Sequence, residues 1–319
     1  MKAAQQSKNI IVLQVTILVA AVIFTYLNVF NAGFISWDDA DYVANNPDIR
    51  GFANAGKWFS SFYIGNYHPL TMVSYAIDFM IGNTAPAQYH ITNIILHCVN
   101  ALMLYAFVNN IQGNRWVAFF VAMLFAIHPV QTESVSWVAE RKNVLSGFFF
   151  IGAMWLYARY LGEEKKTTLF MVILAGIAAM LSKATAVALP VSLLAIDIWL
   201  HRPLNQKKVW IEKLPLLLIA LVAGIVAIKA QAAGEFLNQH PEHGFVQTIG
   251  FAGYAYVQYI IQLLVPVKLS VLYPYPELGI VQWVYTLIAI GIASLAVVAY
   301  KRQWFVLCGG IVFYTVNIA

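Results

Sequence analysis

Charged side chains are scarce in this sequence. Asp, Glu, Lys and Arg make up only 10% of its 319 residues, against roughly 25% in soluble domains. Hydrophobic residues make up 61%, and a chain this apolar cannot cover its surface with polar groups in water. Much of the surface must therefore face lipid, which excludes a soluble globular protein and predicts an all-α, polytopic transmembrane helical bundle.

Cysteines and internal repeats are also few. Cys98 and Cys308 both lie inside apolar runs, where a thiol behaves as a small buried hydrophobe rather than as half of a disulfide framework. The sequence therefore does not indicate a redox compartment. No repeat of solenoid length is found either, so nothing in the chain predicts a repeat architecture.

About ten apolar segments are the main positive signal, and each is a candidate membrane span. The first is interpreted as an uncleaved signal anchor with a cytoplasmic N-terminus, since lysines precede it and no convincing cleavage site follows. We predict one transmembrane domain, residues 1–319, and expect it to be truncated before further spans, because the sequence ends inside an apolar run. The segments are Ile10–Phe30, Tyr89–Asn109, Trp116–Ile127, Val144–Leu161, Thr168–Leu181, Ala184–Leu200, Leu214–Ala230, Phe251–Val267, Ile280–Ala299 and Trp304–Ala319.

The placement of charge predicts the orientation. The formal net charge is +5, but the basic residues cluster in short connections such as 162–166 and 201–213, which the positive-inside bias assigns to the cytoplasm. Residues 31–87 carry five aspartates and only two Lys or Arg residues, which predicts one long extracytoplasmic loop with helical character. After residue 231 simple alternation fails, so either segment 251–267 or an earlier short segment does not cross.

Two adjacent aspartates, Asp38 and Asp39, lie just beyond the first span. A carboxylate at the outer membrane boundary can reach both a lipid-carried substrate and an aqueous acceptor, and partial desolvation raises its pKa towards that of a general base. Neighbouring side chains diverge by about 100° on a helix and about 180° on a strand, so at most one should face a given site. The alternative is that one of them only caps a short helix from Ala40 to Ala44.

Arg141 and Lys142 form a basic pair on the predicted outer face, against the positive-inside bias. A membrane-borne phosphate would account for them, because guanidinium and ammonium groups bind phosphate strongly. Lys183, between two spans, is either a second phosphate contact or a snorkelling lysine. His128 joins the predicted phosphate-binding set, although an interfacial histidine can also be satisfied by backbone groups.

Four more residues are candidates for substrate binding: His68, Glu133, Glu140 and Tyr273. The first three lie in predicted outer segments, and His68 has the same interfacial alternative as His128. Tyr273 belongs to a Tyr-Pro-Tyr-Pro turn typical of a membrane interface, although aromatic faces also suit sugar rings. No metal site is predicted, because a proline interrupts the nearest histidine pair, in the loop from His240 to His243; a divalent ion on the acidic loop is left open.

The order of the motifs along the chain resembles the membrane region of bacterial tetratricopeptide-repeat glycosyltransferase-like proteins, relatives of the transmembrane and tetratricopeptide-repeat O-mannosyltransferases. No single motif is specific, but several in the same order across an apolar scaffold carry the resemblance. They are Trp37-Asp38-Asp39, Asn45-Asn46-Pro47, His68-Pro69-Leu70-Thr71, Gln88-Tyr89-His90-Ile91-Thr92-Asn93 with His97, Phe125-Ala126-Ile127-His128-Pro129-Val130, Glu133-Ser134-Val135, Val138-Ala139-Glu140-Arg141-Lys142, Ser182-Lys183, Leu189-Pro190, Asp197 and Leu272-Tyr273-Pro274.

The resemblance implies a C-type glycosyltransferase fold and a polyprenyl-phosphate sugar as donor. It also implies a catalytic base in the first extracytoplasmic loop, a role that falls on Asp38 or Asp39. The repeat array that normally follows the membrane region is absent from this sequence, which leaves the acceptor open. No cofactor is required by this scheme.

The resulting hypothesis is inverting transfer of a sugar to a hydroxyl acceptor, such as Ser or Thr of an exported protein. The expected setting is a multi-pass inner membrane protein with an extracytoplasmic active site. Its expected partners are membrane lipid, lipid-linked sugar, acceptor protein and other envelope proteins, but not nucleic acid. The alternatives are a lipid or sugar transporter, which would place ionisable groups at mid-membrane, and a noncatalytic membrane scaffold.

Overall fold

Helices make up nearly all of the regular structure. The structure is a computed structural model that describes residues 2–235, 244–274, 276 and 279–318, with side chains from residue 8 onward; the loop from His240 to His243 lies outside it. The described part contains no β-strand, only an isolated bridge between Tyr63 and Asn66, so the all-α prediction is confirmed. The α-helices are α1 Lys2–Thr25, α2 Ala55–Ser60, α3 Pro69–Gly82, α4 Pro86–Gln112, α5 Arg115–Ile127, α6 Gln131–Ser136, α7 Arg141–Glu163, α8 Lys166–Ser182, α9 Leu189–Trp199, α10 Lys207–Ala233, α11 Phe245–Leu264, α12 Ile280–Lys301 and α13 Phe305–Ile318.

Among the described residues, five helical segments are long and apolar enough to cross a membrane. They are Lys8–Thr25, Pro86–Gln112, Val138–Glu163, Lys207–Ala233 and Ile280–Lys301. The chain is a multi-pass membrane protein. Five shorter apolar helices among the described residues have 10–17 residues, and a full bilayer crossing needs roughly 20. The number of about ten spans therefore stays a prediction.

The described helices form two compact units. The first comprises Met1–Ala186 and Val222–Gly234, and the second comprises Val187–Leu221 and Glu235–Ala319. In the first unit, α7 packs against α8 and α4, while α1 packs against α4 and α5. All the predicted site residues except Tyr273 belong to this unit.

Local sequence signals define several helix ends in the first unit. Pro69 and Pro86 stand in the first turns of α3 and α4, where the missing N–H is not needed. Gly113 follows α4 with φ of 65°, the left-handed conformation that favours glycine after a helix. Asn114 then caps α5 by accepting two backbone hydrogen bonds, one of them from Trp116.

Helix α3 contacts the ends of three other helices of the first unit. The Thr71 hydroxyl donates to the carbonyl of Ser182, the last residue of α8, at 2.9 Å. Asp78 pairs with Arg141 at the start of α7, at 2.6 Å, and accepts a 3.1 Å hydrogen bond from Gln88 near the start of α4. These contacts hold the first loop over the ends of three helices, and that is where the candidate site forms.

The second unit contains a buried ion-pair network. Arg202 contacts both oxygens of Glu212 at 2.6 and 2.9 Å and one oxygen of Asp197 at 3.2 Å. Lys213, which the sequence suggests as a connecting-loop lysine, is fully buried within α10 and pairs with the other oxygen of Asp197. The two positive and two negative charges balance, so the network is a structural tie between α9 and the start of α10.

Candidate functional site

Charged side chains from five segments meet where the first loop covers the ends of α7 and α8. Asp38 comes from the loop, Glu133 from α6, Glu140 from the turn Val138–Glu140, and Lys142 and Lys183 from the start of α7 and the end of α8. We call these five residues the charged cluster. Asp38 and Lys183 are far from the other three residues in the sequence, and the packing of α7 against α8 brings Lys183 to Glu140.

Glu140 is the centre of the charged cluster. Its Oε1 lies 2.8 Å from the Lys142 ammonium, and its Oε2 lies 3.6 Å from the Lys183 ammonium. Lys142 also stands over the ring of Tyr42, 5.4 Å from its centre, which is a favourable distance for a cation–π contact. One carboxylate is thus shared by two cations, so Glu140, Lys142 and Lys183 together carry one positive charge, while Asp38 and Glu133 add two further carboxyls to the cluster.

Burial changes the proton affinity of three members of the charged cluster. It raises the pKa of the Asp38 and Glu133 carboxyls, and Lys142 partly opposes this for both. Burial also lowers the pKa of the Lys183 ammonium, while Glu140 favours its charged form. Carboxyls and ammonium groups whose pKa values are shifted in this way cluster at functional sites.

Asp38 and Asp39 face different surroundings, as expected for neighbouring side chains. Asp38 is half-buried within the electrostatic reach of Lys142 and Glu140. Asp39 is fully buried, and its two oxygens accept hydrogen bonds from the backbone N–H groups of Ile35 at 2.8 Å and Ala139 at 2.7 Å. The Asp39 side chain makes no hydrogen bond that caps the helical turn Ala40–Ala44, so it ties two segments together instead.

The segment that carries Glu140 is held by buried hydrogen bonds on several sides. Tyr75 donates to the carbonyl of Val138 at 2.9 Å, and the amide of Asn93 donates to the carbonyls of Val135 and Trp137 at 3.3 and 3.2 Å. Burying these backbone carbonyls is tolerable because each one is paired. The turn before α7 therefore presents Glu140 and Lys142 from a rigid support.

Arg141 points away from the charged cluster into a buried polar pocket. Its side chain is fully buried and contacts Asp78 at 2.6 Å, the carbonyl of Tyr89 at 2.8 Å and the side-chain oxygen of Asn93. Its guanidinium also lies 5.4 Å from the centre of the Tyr75 ring. The arrangement ties α3, α4 and α7 together, and the predicted phosphate-binding role of Arg141 stays a prediction.

His68 lies at the N-terminus of α3, packed against Tyr42 with ring centres 5.2 Å apart. It is almost fully buried, and its Nε2 has no hydrogen-bond partner among the described residues. Burial, helped by the charges of Lys142 and Lys183, lowers the pKa of His68 to about 3. His68 is therefore a neutral, buried imidazole beside the charged cluster, and its predicted role in substrate binding stays a prediction.

Acidification is expected to destabilise the protein through His68. The pKa of the histidine is near 6.5 in the unfolded state and about 3 in the folded state. Between these values the unfolded state binds more protons, so the free energy of unfolding decreases as the pH is lowered. Lowering the pH to about 5.5 should cost roughly 1 kcal/mol through this group. Thermal unfolding in detergent at both pH values measures this loss, as the difference in pH dependence between the wild type and His68→Gln. Equal pH dependence in both proteins would contradict the prediction.

Two predicted site residues, His128 and Tyr273, form hydrogen bonds with residues outside the charged cluster. His128 follows α5, and its Nδ1 accepts a hydrogen bond from the N–H of Val130 at 3.2 Å. Tyr273 lies in the second unit, half-exposed, and its hydroxyl accepts a hydrogen bond from the N–H of Ser270 at 2.7 Å. Their roles in phosphate and substrate binding stay predictions.

Asn143, Tyr42 and Asp78 are site residues that the sequence reasoning did not assign. Asn143 contacts Glu140, Lys183 and Ser134. Its position directly after Lys142, in the first turn of the same helix, was the available signal. Asp78 stands 63 residues before its partner Arg141, a separation that no local pattern reveals.

No metal site is apparent in the part of the chain that the structure describes. It contains no group of three His, Cys, Asp or Glu side chains arranged to hold an ion. The positive charge of the charged cluster comes from its two lysines.

The fold and the site define a helical multi-pass membrane protein with a charged site at the helix ends under its first loop. Comparison with known proteins identifies the class more closely. Residues 68–228 match the dolichyl-phosphate-mannose-protein mannosyltransferase family, and because this match covers half of the chain, the protein belongs to that family. No solved structure matches it.

Several curated proteins share part of this chain. The protein O-mannosyl-transferase Tmtc1 of Drosophila melanogaster is 30% identical over 51% of this chain and 20% of its own length. The mouse protein O-mannosyl-transferase TMTC1 is 34% identical over 47% of this chain and 18% of its own length. The human protein O-mannosyl-transferase TMTC3 is 27% identical over 49% of this chain and 18% of its own length. The chain thus matches only about a fifth of the length of these relatives.

Proposed function

We propose that this protein is a membrane glycosyltransferase that moves mannose from a polyprenyl-phosphate donor to a Ser or Thr hydroxyl of an acceptor protein. The observation that carries the proposal is the position of Asp38, a carboxyl whose pKa is raised by burial and which lies within the electrostatic reach of Lys142 in the charged cluster. The family and the names of the relatives supply the sugar and the acceptor class.

In the proposed reaction, Asp38 is the general base. The acceptor hydroxyl gives its proton to Asp38 as its oxygen attacks the anomeric carbon of the donor. The bond between that carbon and the phosphate oxygen breaks, and polyprenyl phosphate leaves with the bonding electron pair. A single displacement of this kind inverts the anomeric configuration and needs no covalent sugar-enzyme intermediate.

Lys142 and Lys183 are proposed to stabilise the departing phosphate. Both ammonium groups share Glu140, so the pair retains a net positive charge next to the base. Preorganised cations of this kind stabilise negative charge that develops on a leaving group. The reaction as written needs no cofactor, and a divalent ion would be an addition to it.

An apolar groove on the first unit suits the lipid chain of such a donor. It has a volume of about 510 Å³. Phe148 in its wall lies six residues after Lys142 on α7, and Ala178 lies five residues before Lys183 on α8, which separates each from its lysine by about 8–9 Å along the helix. A phosphate at the lysines could therefore extend its prenyl chain into the groove. The walls are Met103, Phe148, Phe149, Gly152, Trp155, Leu156, Met171, Leu174, Ala175 and Ala178.

Filling the groove is expected to weaken donor binding selectively. Ala175→Phe adds a ring where the prenyl chain would lie, and we expect the KM for the lipid donor to rise about tenfold, equivalent to about 1.4 kcal/mol. The KM for the acceptor peptide should stay unchanged. Gly224→Leu on α10 is the control, because a Cβ at Gly224 would meet no atom within 4 Å. Equal donor KM values for both variants would contradict the assignment of the groove.

The proposal includes an orientation. With the N-terminus in the cytoplasm of a cell with an inner membrane, the first loop and the charged cluster face the extracytoplasmic side. The contact between Gln231, near the end of α10, and Gly65 of the first loop, at 2.8 Å, supports this by putting both on one side of the bundle. The proposal also includes assembly with other envelope proteins.

A transfer assay tests the proposed function. The purified full chain in lipid nanodiscs is given a radiolabelled mannosyl polyprenyl phosphate and a peptide rich in Ser and Thr. Label should appear on the peptide, and Asp38→Asn should remove this signal. Label that never leaves the lipid, with protein that is folded and binds the donor, would favour a scaffold, whereas donor movement across a bilayer without transfer would favour a transporter.

A further inference from the structure

The two lysines of the charged cluster contact Glu140 differently. Lys142 makes a direct 2.8 Å contact with Oε1, but Lys183 stays 3.6 Å from Oε2, which is too far for a hydrogen bond. An ammonium so close to a carboxylate gains energy by closing that gap. Something therefore holds Lys183 back.

The side chain of Asn143 occupies the gap. Its Nδ2 donates to Oε2 of Glu140 and, at 3.1 Å, to the hydroxyl of Ser134, while its Oδ1 accepts from the Lys183 ammonium. A side-chain amide offers a donor on its nitrogen and an acceptor on its oxygen, so it can contact both charged partners at once. Asn143 thus fills the site on Glu140 that Lys183 would otherwise take and gives Lys183 a neutral partner instead.

We propose that Asn143 is a positioning residue, which keeps Lys183 from closing onto Glu140 so that Lys142 and Lys183 together bind the phosphate of a polyprenyl-phosphate ligand. This inference rests on the proposed function and adds to it. An ammonium carries three hydrogens, so Lys183 bound to Asn143 retains donors for a phosphate oxygen. An ammonium closed onto Glu140 would instead have its charge neutralised.

The test measures binding of undecaprenyl phosphate, which carries no sugar, to the full chain in nanodiscs. Asn143→Leu removes both hydrogen-bonding groups of the amide while keeping a side chain with the same branching, and it is expected to raise the Kd about tenfold. Glu140→Gln removes the carboxylate onto which Lys183 closes. In the double variant the Kd is therefore expected to lie within about threefold of that of Glu140→Gln alone. Asn143→Asp, which preserves the shape, should also weaken binding at least tenfold, because its carboxylate neutralises Lys183.

Each outcome decides between defined cases. Wild type that does not bind undecaprenyl phosphate overturns the proposed donor, and this inference with it. Wild type that binds, with an unchanged Kd in both Asn143 variants, overturns the inference alone. An equal loss with and without Glu140→Gln also overturns it, since a packing role would not depend on that carboxylate. Thermal unfolding midpoints verify that each variant is folded. If Asn143→Leu does not fold, the Kd of Asn143→Asp decides the test.

Discussion

Asp38→Asn is expected to lower the rate of sugar transfer by about 10²–10⁴-fold, the usual contribution of a general base. The substitution keeps the size of the side chain but removes its capacity to accept a proton. Asp38 is half-buried and serves no described backbone hydrogen bond, so the thermal unfolding midpoint should stay close to that of wild type. Donor binding should also persist, because Lys142 and Lys183 are unchanged.

Asp39→Asn provides the matched control, because it makes the same chemical change one residue away. The Asp39 carboxylate accepts two backbone hydrogen bonds in a buried position, and an amide can serve only one of them with its oxygen. The expected loss is about 1–3 kcal/mol of folding stability, with transfer per folded molecule retained. The reverse pattern, an inactive but stable Asp39→Asn and an active Asp38→Asn, would assign the base to Asp39.

The sequence alone could not choose between these two aspartates. Hydropathy and the distribution of charge predict that both lie at the outer end of the first span. Their adjacency indicates only that the two side chains point in different directions. The choice depends on the N–H of Ala139, which lies 100 residues further along the chain. Composition, by contrast, was enough to predict an all-α membrane protein, because scarcity of charge is a property of the whole chain.

The charged cluster shows what motif order can and cannot predict. The sequence predicts Glu140 as a substrate contact and Lys142 and Lys183 as phosphate contacts, and the packing of α7 against α8 brings the three side chains together. The sequence did not predict that the two lysines contact Glu140 differently, because this difference depends on Asn143, an uncharged residue. Arg141 was grouped with Lys142 by adjacency, yet successive residues on a helix point about 100° apart. The two side chains accordingly have different partners.

Arg141→Leu is expected to cost about 3–5 kcal/mol of folding stability, since it leaves the buried carboxylate of Asp78 without its cation. Gln88 and Thr92 also donate to Asp78, at 3.1 and 2.7 Å, but neither carries a charge. The double variant with Asp78→Asn removes both charges and should recover part of the loss. The measurement is thermal unfolding of each variant in the same detergent.

Lys57→Ala is the control for this ion pair. Lys57 also pairs with an aspartate, Asp48, at 3.0 Å, but its side chain is 61% exposed, so its loss should cost at most about 1 kcal/mol. If Arg141→Leu kept the wild-type unfolding midpoint and lost affinity for undecaprenyl phosphate, Arg141 would be a donor ligand after all. A large loss of stability, recovered by Asp78→Asn, would make Arg141 the link that holds α3 and the first loop over the charged cluster.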